Sequence, residues 1–315
     1  MNDPRPLQTA VHAVAARGLT KRYGETLAVD GLELEIPAGQ FFGLLGPNGS
    51  GKTTTMRMIA GFTTASSGRV TVAGYDVRRQ PVQVRAAIGL VFQESALDRT
   101  LSVAENLRFA GLLYDLPVAV IEQRSRELLE LFGLNDKRDR PVGALSGGMR
   151  RALDIVRGVL HYPRILFLDE PTIGLDLPNR RKIWRFIERL RAAQGMTVLL
   201  TTHYLEEADT CDQVAFINGG RIVRRGGPRQ LVDELGRHIV EIEAPELEPL
   251  VNAVRPRLGP ALTDGDVAFF RYAEEDPAGL AALQAELGNR ISALRIRRPN
   301  LNDVFMWVNA PRTES

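Results

Sequence analysis

The chain has 315 residues, enough for one large domain and a small one. Its hydrophobic content of 44% and charged content of 25% are those of an ordinary globular protein. A formal charge of +2 gives no electrostatic footprint for nucleic acid, and no run of 18 apolar residues occurs, so neither a nucleic-acid partner nor a membrane span is expected.

Residues 1–12 read as a loose extension; Met1–Ala10 has prolines and polar residues and lacks the apolar core of a signal peptide. Strands are expected from Val14, with Leu32, Leu34 and Ile36 alternating against Glu33 and Glu35. Tyr23 taken alone is a packing aromatic. Pro37-Ala38-Gly39 turns the chain into the apolar run 41–45, and Gly46-Pro47-Asn48-Gly49-Ser50-Gly51-Lys52-Thr53-Thr54 follows. Met56, Ile59 and Ala60 then recur at helical spacing, so a G-x-x-x-x-G-K-[ST] pattern lies between a buried strand and a helix, the context of a phosphate-binding loop. Gly46, Gly49 and Gly51 let backbone N–H groups curl around phosphate oxygens, and the helix beginning near Lys52 adds its positive end. In that role Lys52 reaches the β- and γ-phosphates and the Thr53 hydroxyl ligates Mg²⁺. Lysine is scarce here, occurring only at 21, 52, 137 and 182, which makes its presence at 52 more telling.

Further strands are expected at 70–72 and 88–92, the second running into Gln93-Glu94. Residues 102–160 turn helical: Ile121, Leu128, Leu129 and Phe132 share a face and Gly133 suits a helix stop. Leu145-Ser146-Gly147-Gly148-Met149 precedes the stripe Met149, Leu153, Val156 and Leu160, so Ser146, Gly147 and Gly148 fall at a helix N-terminus. As a bare pentapeptide this is a helix cap; it is also a place suited to anions. Ile165–Glu170 is an apolar strand ending in two carboxylates, Thr197–His203 is another ending in a histidine, and a helix containing Ile183, Phe186, Ile187 and Leu190 joins them. Strand–helix–strand implies a parallel sheet, whose ligands bind outside the carboxyl ends of the strands, where Gly46, Gln93, Asp169 and His203 would all lie. Cys211, the one cysteine, permits no intrachain disulfide and suits a reduced cytosolic setting. A hairpin at 214–223 and a short helix at 228–235 close the large domain. Beyond Gly236, strands are expected at 238–244, 267–272 and 291–297, a helix around 280–287, and a capped amphipathic helix over 298–307.

In this order and spacing the motifs resemble those of the ATP-binding cassette (ABC) ATPases, the motor subunits of ABC transporters, over roughly residues 14–235. The resemblance implies an α/β fold: a P-loop NTPase cassette with an N-terminal antiparallel β subdomain, a mixed sheet core and a helical signature subdomain at about 95–160. The division it suggests is an ATP-binding domain over 13–235 and a small C-terminal α+β domain over 236–315. It identifies Tyr23 with the aromatic that stacks on adenine, Gly46–Thr54 with the phosphate loop, and Gln93 with the glutamine that senses Mg²⁺ and couples to the membrane partner. Asp169 is similar to the Mg²⁺-associated aspartate, Glu170 to the catalytic base, and His203 to the switch histidine. Leu145–Met149 resembles the LSGGQ signature except at Met149. Methionine is frequent there in the exporter branch, which the segments 93–107 and 299–305 also resemble.

The resemblance implies ATP and Mg²⁺ as ligands and a head-to-tail pair of chains. In that pair Ser146, Gly147, Gly148 and Asp176, the last in the Gly174-Leu175-Asp176 loop, complete the partner's site. It further implies a separately encoded integral membrane permease, with this subunit cytoplasmic and peripheral on the inner face of the membrane. Two rival readings are an importer ATPase with residues 236–310 as a regulatory domain, and a soluble ABC ATPase without a transport role.

Overall fold

The computed structural model describes residues 12–272 and 277–310. Of the expected extension, residues 1–11 lie outside the described residues, and His12 already opens a strand. The chain divides into two compact units, one of residues up to His203 with Cys211–Ile222, the other of Tyr204–Thr210 with the chain from Val223 onward.

In the first unit, β1 (His12–Tyr23) and β2 (Thr26–Pro37) pair antiparallel, with Ala16 opposite Leu34 and Val14 opposite Ile36. The short β3 (Phe41–Leu45) runs into α1 (Lys52–Ile59), and β4 (Ser67–Val72) and β5 (Tyr75–Asp76) complete a sheet of order β2-β1-β4-β5. Helix α2 (Pro81–Ala87) feeds β6 (Ile88–Val91). Then come α3 (Val103–Leu113), α4 (Val118–Phe132) and α5 (Gly147–Val159). After them, β7 (Ile165–Asp169), α6 (Leu177–Gln194) and β8 (Thr197–Thr202) form the expected strand–helix–strand unit.

Helix α7 (Leu205–Ala208) belongs to the second unit, and the chain then returns as β9 (Gln213–Asn218) and β10 (Arg221–Gly226). The second sheet runs β10-β9-β3-β8-β7-β6, and from β9 to β6 every pairing is parallel. β3 and β7 are buried along their whole length, which is why both read as unbroken apolar runs and not as alternating patterns. Phe42, Leu44, Met56, Ile59, Phe167 and Leu199 form the centre of this core, each at most 1% exposed.

Two glycines bring α5 against β6. A Cβ at Gly89 would lie 2.2 Å from the Gly158 carbonyl oxygen, so strand and helix touch backbone to backbone.

The second unit carries α8 (Pro228–Asp233), β11 (His238–Glu243), α9 (Leu247–Leu258), β12 (Ala261–Asp264), β13 (Val267–Tyr272), α10 (Pro277–Leu287), β14 (Ala293–Arg297) and α11 (Leu301–Asn309). Its sheet is antiparallel, in the order β12-β13-β11-β14. The three strands expected here and the terminal helix are present, the helix with Asn300 and Asp303 forming a reciprocal cap. Arg297 grips both carboxylate oxygens of the fully buried Asp303 at 2.7 Å, tying β14 to α11. Helix α9 and strand β12 are additions to the expected set. The helix was readable from Leu247, Leu250, Val251, Val254 and Leu258 at helical spacing; Pro256 in its last turn disguises it. Among the described residues no helix is long and apolar enough to cross a membrane.

Within the helical part, His161 stacks on Tyr114 at 3.7 Å and 5°, and its Nε2 lies 2.9 Å from the Ile88 carbonyl oxygen. That contact needs the proton on Nε2, while Nδ1 is buried without a partner. Burial pushes the imidazole pKa down to about 4, against the raising effect of the Ile88 bond. The unfolded chain, with a histidine pKa near ~6.5, therefore binds this proton first on acidification. Stability should fall as pH drops from 6.5 towards 4, by about 1.4 kcal/mol per pH unit from this group. Urea unfolding at pH 7 and pH 5 checks it: His161→Phe should show a smaller pH difference than the parent, and equal differences would refute the account.

Candidate active site

Parallel register sets the site. Leu45 is level with Thr202, Thr201 with Asp169, and Val91 with Leu168, so β3, β6, β7 and β8 end along one edge. Gly46, Gln93, Glu170 and His203 follow those ends. Gln93, Glu170 and His203 border a cleft of about 490 Å³ whose other walls include Asn48, Gly49, Gly51, Lys52, Thr53 and Thr54. A volume of that order suits a small organic ligand.

Its floor is the loop after β3. A Cβ at Gly46 would lie 2.3 Å from the Ile217 carbonyl oxygen, and one at Gly51 would lie 2.5 Å from that of Ala28, so neither position accepts a side chain. Gly51 holds φ at 106° and caps α1 with no side-chain bond, which leaves the first N–H groups of α1 without a side-chain acceptor. Ser50 is 4% exposed and its hydroxyl has no partner, an orphaned polar group inside the loop. Lys52 is 6% exposed, and its ammonium donates to the carbonyl oxygens of Gly46 at 2.7 Å and Pro47 at 2.9 Å. Burial lowers its pKa; the nearby Glu170 and Asp169 carboxylates oppose that shift.

Behind the cleft, at the end of β7, Asp169 is 3% exposed and accepts from the Thr53 hydroxyl at 3.3 Å and from the Thr201 hydroxyl. The next residue, Glu170, has φ of 48°, a left-handed conformation rare for a non-glycine residue. Its N–H donates to the Thr201 carbonyl at 3.0 Å, and its side-chain Oε1 lies 3.1 Å from His203 Nδ1. A strained acidic residue that faces both a lysine and a histidine is a common mark of a chemical site. Among the described residues no group of three or more His, Cys, Asp or Glu side chains could hold a metal ion. The donors available for a cation are instead the hard oxygens of Thr53, Asp169 and Gln93. That set fits Mg²⁺, which keeps several water or phosphate ligands of its own.

The remaining expected residues lie apart from the cleft walls. Tyr23 is 50% exposed, with the Lys21 ammonium 4.7 Å from its ring centroid. Ser146 caps α5 by accepting from the Met149 N–H at 3.3 Å, and Asp176 caps α6 by accepting from the Asn179 N–H at 2.9 Å. Gly148 adjoins α6: its Cβ would lie 3.0 Å from Asn179 Nδ2. Ser146, Gly147 and Asp176 are exposed.

Sequence reasoning missed several contributors. Ala28 and Ile173 line the cleft, Thr201 anchors Asp169, and the Gly220 N–H donates to the Ser50 carbonyl at 3.0 Å. Arg151, buried on α5, was also missed; a basic pair after a helix cap ordinarily reads as a solvated surface.

The ABC transporter family matches residues 29–173. The Nod factor export ATP-binding protein I of Cupriavidus metallidurans is 43% identical over 293 residues, covering 92% of this chain and 95% of that protein. The daunorubicin resistance ATP-binding protein DrrA2 of Streptomyces coeruleorubidus is 40% identical over 321 residues, covering 96% and 97%. Among solved structures, the ATP-binding subunit of an ABC transporter superposes with a TM-score of 0.65 at 26% identity, over 70% of this chain and 92% of that one. A dimeric ATP-binding cassette in a post-hydrolysis state with ADP and Pi gives 0.63 at 26% identity, over 68% and 98%. Likeness on this scale, on top of a glycine-rich loop at a parallel-sheet edge near an acidic pair, has one reading: the chain belongs to the ABC transporter family and is an ATP-binding subunit that hydrolyses ATP.

Proposed function

We propose that the chain is the motor of an exporter and drives a separately encoded permease by closing on ATP as a head-to-tail pair. The observation that carries this reading is the meeting of Lys52, Thr53, Asp169, Glu170 and His203 at one sheet edge. Export is favoured over import because relatives matched over nearly the whole chain are named for Nod factor export and daunorubicin resistance.

In this mechanism the N–H groups of Asn48–Thr54 and the Lys52 ammonium receive the phosphates; Lys52 exchanges its bonds to Gly46 and Pro47 for phosphate oxygens. Thr53, Asp169 and Gln93 would hold Mg²⁺, which neutralises developing charge when bound. Glu170 is the general base. Its carboxylate polarises a water in line with the γ-phosphate, and His203, 3.1 Å away, fixes its direction. Tyr23, half exposed, offers a ring for adenine. Ser146, Gly147, Gly148 and Asp176 serve the site of a second copy, which the exposure of Ser146, Gly147 and Asp176 favours. Phe109, Leu112 and Leu113 on α3 are 61%, 48% and 67% exposed, an apolar surface suited to a permease. Through that partner the subunit sits at the cytoplasmic face of a membrane. Residues 13–235 constitute the ATP-binding domain, and 236–315 a C-terminal α+β domain.

Light scattering on Glu170→Gln tests the pairing. With saturating ATP the variant should run as a dimer, and a monomer under those conditions would overturn it.

A further inference from the structure

Helix α5 begins at Ser146 and carries two buried charged residues one turn apart, Arg151 at 7% and Asp154 at 3% exposure. A buried guanidinium is costly unless its donors are satisfied, and Arg151 satisfies them on backbone carbonyls from two separate segments. Nη1 donates to the Phe92 carbonyl at 2.5 Å, Nη2 to those of Asp169 at 3.3 Å and Glu170 at 3.1 Å, and Nε to that of Pro171. Its charge is opposed by Asp154 and Asp169. One turn further along α5, Asp154 accepts from the Ala96 N–H at 3.3 Å. The segment containing Gln93 is therefore held at both ends, at 92 by Arg151 and at 96 by Asp154. The backbone on either side of Glu170 is held by the same guanidinium.

We propose that Arg151 is a positioning residue for ATP hydrolysis, locking the backbone of Glu170 and the root of the Gln93 segment to the helix that begins at Ser146. A residue such as Glu170 persists in a left-handed conformation only where its surroundings over-determine it. Bonds to three successive carbonyls, with the Glu170 N–H on Thr201, supply that constraint. The planar fork of arginine reaches all four carbonyls at once. An ammonium has three donors at a single point and cannot. The proposal rests on the reading of Glu170 as the base and Gln93 as a site residue.

The test uses the purified full-length chain, with steady-state phosphate release and equilibrium ATP titration. Arg151→Met should lower kcat by about 10- to 100-fold, as expected when a reacting group is displaced by about 1 Å, with the Kd for ATP within about threefold of the parent. Arg151→Lys keeps a charge and a donor in the same place, so it should fold and recover part of the loss, about 3- to 10-fold below the parent. Should Arg151→Met fail to fold, Arg151→Lys decides alone. Parental kcat in a folded Arg151→Met or in Arg151→Lys would overturn the proposal, as would a Kd that weakens in step with kcat. Glu170→Gln is assayed alongside. If that variant hydrolyses ATP normally, the fault lies in the reading of the site; if it is inactive while the Arg151 variants work, the fault lies in the lock alone.

Discussion

Replacing Glu170 by Gln should leave ATP bound and slow its hydrolysis by ~10²–10⁴-fold. The amide is isosteric, so the left-handed turn after β7, the bond from the Glu170 N–H to Thr201 and the packing near His203 all persist. What disappears is the capacity to take a proton from water. Removing a partly buried negative charge beside the glycine-rich loop also eases the approach of a polyanion, so affinity for ATP should hold or rise. Phosphate release and an ATP titration on the same preparation separate the two effects. Turnover at the parental rate would remove Glu170 from the mechanism.

Lys52→Ala should fail one step earlier, at binding. Lys52 is 6% exposed and its ammonium donates to two carbonyl oxygens of its own loop, where the proposed function brings the phosphate oxygens. A charge-assisted bond contributes about 1.5–3 kcal/mol, so the Kd for ATP should weaken by about 10- to 100-fold. Isothermal titration gives the answer directly, and an unchanged Kd would remove Lys52 from phosphate recognition. The loop does not depend on this side chain for its shape. Gly46 and Gly51 fix it by backbone contact with Ile217 and Ala28, which keeps the variant interpretable.

How much of this was legible in the sequence follows from the range of the forces involved. The strands around the site could be read because β3, β7 and β8 are buried on both faces and appear as apolar runs. Residues just past such runs must share an edge in a parallel sheet, which is enough to gather Gly46, Gln93, Glu170 and His203. Contacts between distant segments follow no such rule. Nothing near Arg151 in the chain hints at Phe92 or Pro171, 59 and 20 residues away. The same holds for Gly220 beneath Ser50 and for Ala28 against Gly51. A helix such as α9 is a different case, since its apolar spacing was in plain view and a late proline concealed it. The left-handed geometry of Glu170 had no sequence signal, because glutamate is not a residue that marks that conformation.

The meeting of Gly89 and Gly158 gives α5 a pivot. Neither glycine puts a side chain into the contact, although Val91 of β6 packs beside Gly158, so a small tilt of α5 about this point would drive little bulk into the strand. At ~1.5 Å of rise per residue, Ser146 lies about 18 Å from Gly158 along the helix and Arg151 about 10 Å. A tilt of about 5° about that point therefore swings Ser146 by about 1.6 Å and Arg151 by about 0.9 Å. The lever has unequal arms: a slight rotation that leaves every helical bond intact is magnified at the tip of α5 and reduced where the guanidinium meets the backbone of Glu170.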